Sequence, residues 1–186
     1  MESNGKVVAD PTRVKVITRS GPSLEESKLI TGLALPKKRA HVEMPSSLGP
    51  GSILLLDGGL ELRSLTNDVQ LNVTSTSVLQ SFRESEQERL LDQVKLLVDL
   101  DVKLLACREG IDDSMHAHLA EAGIKAFRRV AKSDLELLAR GCGARLIPTI
   151  HQAKQSDVGV FISSRCERWG DVDHWILEAD EGGATF

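Results

Sequence analysis

Two carboxylates and two imidazoles, Asp112, Asp113, His116 and His118, fall within seven positions of the chain. Groups of this kind can hold a metal ion, move protons as a catalytic acid and base, or decorate a surface helix. On a helix His116 and His118 stand about 200° apart, so they cannot chelate one ion. The remaining histidines, His41, His151 and His174, supply no recognisable ligand spacing. Ala117, Leu119, Ala120 and Ala122 favour a helix over 112–122, and Asp112 or Asp113 ahead of Met115 makes a good N-cap, with acid at the positive end of the dipole. Met115, Leu119 and Ala122 then form the inward stripe with His118 on its flank. Asp113, His116, Ala117, Ala120 and Glu121 form the outward face. A small α/β hydrolase using His116 or His118 with Asp112 or Asp113 is the enzymatic alternative, and it requires a convergent pocket.

Other reactive residues read more simply as structure. Cys107, Cys142 and Cys166 lack a nucleophile signature and are too scattered for a disulfide framework or a metal knuckle. They are expected to be reduced, two of them buried. Gly141-Cys142-Gly143 follows a helix and reads as C-cap and turn. Gly49-Pro50-Gly51 and Gly58-Gly59 lack the lysine of a phosphate loop, and no GxGxxG opens a helix. Arg128-Arg129 reads as ion-paired structure near Asp134 and Glu136.

Those elements belong to a chain of 186 residues, 41% hydrophobic, long enough to bury a single sizeable core. Its 27 acids outnumber 23 bases, and the bases are scattered in pairs, so nothing resembles a nucleic-acid footprint. Aromatic residues are 3% with no tyrosine, which leaves the core to Leu, Val, Ile and Ala and removes base-stacking platforms. No apolar run reaches a membrane span and the first residues lack a signal-peptide pattern, so a soluble cytoplasmic protein with no membrane partner is expected.

Periodicity predicts an edge strand at 13–18, an exposed loop from Pro36 to Gly51, and a central strand, covered on both faces, at 52–57. One or two further strands follow between 60 and 73, and Thr74 to Ser77 supply N-caps for a long helix. The apolar positions of that helix, Val78, Leu79 and Phe82, then Leu90, Leu91, Val94, Leu97 and Val98, are separated by Arg83-Glu84-Ser85-Glu86-Gln87-Glu88-Arg89. A helix polar all round at its middle leaves the globule there, so its first half projects and its second half docks. Strands at 102–107, 124–130 and 144–150 alternate with helices at 112–122 and 133–141, and an antiparallel pair turns at Gly170-Asp171. The fold class is therefore α/β (α+β), with parallel or mixed strands.

In order along residues 12 to 160 stand Gly32-Leu33, Lys38, His41 and Met44-Pro45; ILLLD with Leu60-Glu61; Leu79, Phe82 and Glu86; Gly110-Ile111-Asp112-Asp113; Ala126 to Val130 with Lys132-Ser133-Asp134; and Gly143-Ala144-Arg145. This series resembles the apical domain of group II chaperonins, the thermosome and the cytosolic chaperonin. Pro36 and Val42-Glu43 depart from the family pattern, as does the segment beyond 160. The resemblance implies a β-sandwich flanked by helices, with a helical lid protrusion at 36–50 and 75–89. Residues 1–11 would be a flexible N-terminal tail and 12–186 the substrate-binding domain. It further implies a binding module for unfolded polypeptide and a ring of sibling subunits; a divergent scaffold for one dedicated partner is the variant of this reading. ATP and magnesium would belong to the full-length parent, since its Gly-Asp-Gly-Thr run is absent here, and the chain itself would be no enzyme and hold no cofactor or metal. The binding surface would comprise the apolar tip Val78, Leu79 and Phe82 and the helix face Asp113, His116, Ala117, Ala120 and Glu121, its acids selecting basic segments.

Overall fold

The computed structural model describes residues 2–3, 6–7, 16–18, 23–60 and 76–179, with the side chains at 2–3, 6–7, 26, 76–84 and 86 outside that description. The strands expected between 60 and 73 and the caps Thr74 and Ser75 fall almost wholly outside it, as do the side chains of Val78, Leu79 and Phe82.

Near the start, β1 (Glu2–Ser3) and β2 (Lys6–Val7) form a two-residue antiparallel ladder. The order then runs β3 (Gly32–Leu35), β4 (Ser47–Leu48), β5 (Gly51–Leu56), α1 (Thr76–Asp99), β6 (Val102–Cys107), α2 (Asp113–Glu121), β7 (Lys125–Phe127), α3 (Lys132–Cys142), β8 (Leu146–Ile147), β9 (Gly159–Phe161), β10 (Ser163–Trp169) and β11 (Val172–Glu178).

The apolar run of β5 dictates the layering. Ile53, Leu54, Leu55 and Leu56 are all fully buried, and because successive strand side chains point to opposite faces, both faces of β5 need a cover. Leu54 and Leu56 pack with Leu90, Val94 and Leu97 of α1 and Met115 and Leu119 of α2. Ile53 and Leu55 pack with Leu33 and Leu35 of β3, Trp175 and Leu177 of β11, and Leu135 and Leu138 of α3. One sheet, β7-β6-β5-β8, is parallel, with β9 antiparallel on the first half of β5. The other, β3-β11-β10-β4, is antiparallel and lies across it. The expected β-sandwich flanked by helices is the architecture observed.

Several boundaries differ from the sequence reading. Residues 16–18 carry no strand. The strand expected at 144–150 is only Leu146–Ile147, because a 3-10 turn at Ile150–Gln152 takes up the chain beyond Pro148. The strand at 124–130 stops at Phe127, and Arg129 adopts a left-handed φ of 55°. In the C-terminal pair the chain changes sheets at Ile162, since β9 joins β5 before β10 joins β11. The turn falls where expected, with Gly170 at φ 61°, a conformation glycine adopts without steric cost. Gly143 likewise closes α3 at φ 65° as a left-handed C-cap.

Between the sheets Phe127 stacks on Trp175 with ring centroids 3.9 Å apart, and the indole Nε1 donates to Ser164 Oγ at 3.0 Å. Trp175→Ala removes the largest inward side chain and leaves that hydroxyl without its donor. It should cost about 3–5 kcal/mol, read as a lowered midpoint in urea denaturation followed by circular dichroism. A midpoint close to the parent's would mean that the two sheets do not depend on this stack.

Candidate polypeptide-binding surface

The helix raised by the opening residues forms as its cap signals. Asp112 Oδ1 accepts from Ser114 N at 3.0 Å and from Ser114 Oγ at 2.7 Å, and α2 follows at once. Met115 and Leu119 point inward, fully buried. The outward face is narrower than the periodicity suggests: Asp113, Ala117 and Glu121 are exposed, Ala120 is only half-exposed against the core, and His116 is buried at 5% exposure. His116 and Ala120 therefore do not belong to an open surface. The cause lies in another segment. Residues 37–46, expected to project as loop, instead cross over α2 and β7 as a strap.

Several anchors hold that strap. Ala40 N donates to Ala126 O at 2.8 Å, Lys37 Nζ donates to Arg129 O, and Met44 is buried in the helix-side core. His41 then lies over His116 with ring centroids 5.8 Å apart. The segment 36–50 is thus docked in its first part, because Met44 and Ala40 supply the apolar contacts that its composition seemed to lack.

Beneath the strap, His116 Nδ1 lies 3.5 Å from Asp113 Oδ1, which also receives Arg128 Nη1 at 3.7 Å, while His116 Nε2 is buried without a partner. Burial, and next the Arg128 cation, hold the imidazole below its ordinary range, against the opposing pull of Asp113. Arg128 is ion-paired as expected, though to Asp113 rather than to Asp134 or Glu136.

Lys125 is the site residue that sequence reasoning missed. It is fully buried on the edge strand β7, and its Nζ donates to Ser46 O at 2.8 Å and Ser164 O at 3.2 Å, with the Phe127 ring 5.6 Å away. The amine therefore ties the end of the strap and β10 to the parallel sheet. Desolvation lowers its pKa. The available signal was parity: two residues from Phe127 on a strand, Lys125 must share its inward face.

The enzymatic alternative requires its histidines and acids to meet in one pocket. Asp112 is committed to the cap, His116 is enclosed, and His118 turns to Glu121, with Nδ1 3.8 Å from Oε2. Of the two acids and two histidines, only His116 and Asp113 come together, at 3.5 Å, with the imidazole enclosed. Among the described residues no cluster of three metal-ligating side chains occurs, and no described helix is long and apolar enough to cross a membrane. Cys107 and Cys142 are buried, with thiols pushed up by desolvation, that of Cys142 to about 12.

A capped, partly covered helix thus lies beside a pinned strap on a sandwich of two sheets. The model of the TCP-1/cpn60 chaperonin family matches residues 1–186, so the chain belongs to that family. Within it the similarities fall on the group II side. The chain is 37% identical over 158 residues to the thermosome subunit beta of Archaeoglobus fulgidus, covering 85% of this chain and 29% of that protein. It is 32% identical over 178 residues to the thermosome subunit beta of Halobacterium salinarum, covering 96% and 32% respectively. The open-state monomer of a group II chaperonin from Methanococcoides burtonii superposes with a TM-score of 0.68 at 27% identity, over 89% of this chain and 35% of that one. The chain thus spans about a third of the length of the relatives it matches.

Because neutral His116 suits its enclosure, its contribution to stability is complete above the ordinary imidazole value of about 6.5 and is lost as pH falls below that value toward the lowered one. Replacement of His116 by Leu removes the titrating group and the unpaired Nε2. The variant should lose less stability than the parent between about pH 7.5 and 5.5, measured by urea denaturation at each pH. Equal acid sensitivity would show that His116 stays uncoupled from unfolding.

Proposed function

We propose that this chain is the substrate-binding, lid-bearing apical domain of a group II chaperonin subunit, which holds unfolded polypeptide for folding by an ATP-driven ring. The supporting observation is the division of α1. It runs as one helix of 24 residues; among its described side chains the buried stripe starts at Leu90, and Ser85, Gln87, Glu88 and Arg89 before it are exposed. A run of exposed polar residues ahead of a docked stripe suits a protrusion, which is the role proposed for 75–89. The binding surface would then combine Val78, Leu79 and Phe82 on the first turns of α1 with the exposed face Asp113, Ala117 and Glu121 of α2.

In this reading ATP and magnesium act elsewhere in the parent, sibling subunits supply the rest of the ring, and the cytoplasm is the working compartment. An apolar group on a polar, undocked helix can repack around different chains, which suits a binder of many partners. Single contacts of this sort are weak, and a ring strengthens them by raising effective concentration.

Combining Leu79→Ala with Phe82→Ala should weaken suppression of aggregation of a chemically denatured client several-fold, while the melting temperature of the chain stays within about 2 °C of the parent's. Retained suppression would place the surface elsewhere. A fall of many degrees would make those residues core and remove the protrusion.

A further inference from the structure

We infer that the strap and the loop after β7 form a basic rim that captures acidic segments of non-native polypeptide. The inference rests on the binding role proposed above and names the class of client segment. Lys38 and Arg39 lie on the strap between its anchors at Arg129 and Ala126. Arg129 stands two residues beyond β7, and Lys132 opens α3. Among the described residues none of these four cations has a carboxylate within 4.0 Å, whereas Arg108 and Arg128 beside them are engaged by Asp57 and Asp113. Arg129 and Lys132 are exposed, as is Lys38.

In a chain with a net charge of -4, unpaired cations gathered on two adjoining segments create a local field opposite to that of the whole molecule. Arg129 is fixed there rather than free to drift: its N–H donates to Glu109 O at 3.0 Å and its carbonyl receives Lys37 Nζ, which together hold the left-handed backbone. Edge protection accounts for charged residues beside an exposed strand, but α3-borne Lys132 lies outside that strand and needs another reason.

Chemistry selects the occupant. Nucleic acid requires a broad basic surface and bases need stacking partners, and the chain offers net negative charge and 3% aromatic residues. A polypeptide segment with spaced carboxylates fits better, because the Arg128–Asp113 pair joins the rim to the exposed face of α2, where Ala117 presents an apolar contact. Asp113 is thereby partly neutralised, so the helix face does not repel such a segment.

Fluorescence anisotropy with two short labelled peptides tests this, one of alternating Glu, Leu and Ser and one with Lys in place of Glu. The acidic peptide should bind about tenfold more tightly, and raising the salt should erase the difference. The variant K38E/R39E/R129E/K132E should lose the preference. Arg129→Gly, which suits the positive φ and so keeps the fold, should weaken acidic-peptide binding about threefold. Equal affinity for the two peptides, or unchanged affinity in both variants, overturns the rim. Displacement of the acidic peptide by poly-uridine RNA at equal charge concentration also overturns it, by assigning the site to phosphates. Suppression of aggregation of a client lacking acidic runs separates the two readings: it should survive the charge reversal, and its loss in the Leu79, Phe82 variant strikes only the general binding role.

Discussion

The double burial of β5 constrains everything else in this molecule. Four consecutive residues, Ile53 to Leu56, are fully buried, and a strand shows alternate residues to alternate faces. One layer cannot satisfy it. The helices α1 and α2 cover Leu54 and Leu56, and the antiparallel sheet with α3 covers Ile53 and Leu55. With both faces consumed, the edges and ends of the layers are left exposed, and there the strap and the loop after β7 are found.

At such an edge apolar packing runs out, and polar groups take over the fastening. Lys125, on the parallel sheet, carries its buried amine to two carbonyl oxygens at the β4–β10 edge of the other layer, Ser46 O and Ser164 O. Burying a cation is costly, and its depressed pKa records that cost, but two acceptors and an aromatic face offset much of it. His116 plays a complementary part under the other end of the strap, neutral and enclosed, with Asp113 and Arg128 beside it. Lys125 ties the 37–46 segment to the sheet and His116 meets it from α2 at the His41 ring, so the strap lies docked beside α2 where composition had suggested a projecting loop.

Sequence made the layers legible and the strap illegible, for one physical reason. Periodicity reports burial against a whole layer: the apolar run of β5, the alternation after residue 100 and the docked stripe Leu90, Val94 and Leu97 all appear where it placed them. It also over-counts at the margins, since Leu91 and Val98 are half-exposed and only one side of that stripe packs. Coverage by a segment distant in sequence leaves no such trace. His116 sits at an outward angle of its own helix and is buried only because residues 37–46 return across it. The same holds for Ala120, and for Lys125, whose charge argued for exposure while its parity with Phe127 argued for burial; two carbonyl acceptors decided in favour of burial.

The sign of the proposed binding surface follows from which charges are already spent. Read along the helix alone, Asp113 and Glu121 make α2 acidic and would favour basic partners. In the fold Asp113 is shared between Arg128 and His116, and Arg108 is held by Asp57 and Glu109. A charge with a fixed partner a few ångströms away contributes little field at the distance from which a client arrives, because the pair presents a dipole where a lone ion would present a monopole. What remains beside α2 is Lys38, Arg39, Arg129 and Lys132. On the proposed rim, the described cations of the strap and the loop after β7 that lack a carboxylate within 4.0 Å carry a sign opposite both to the net charge of the chain and to the acids of the helix they flank.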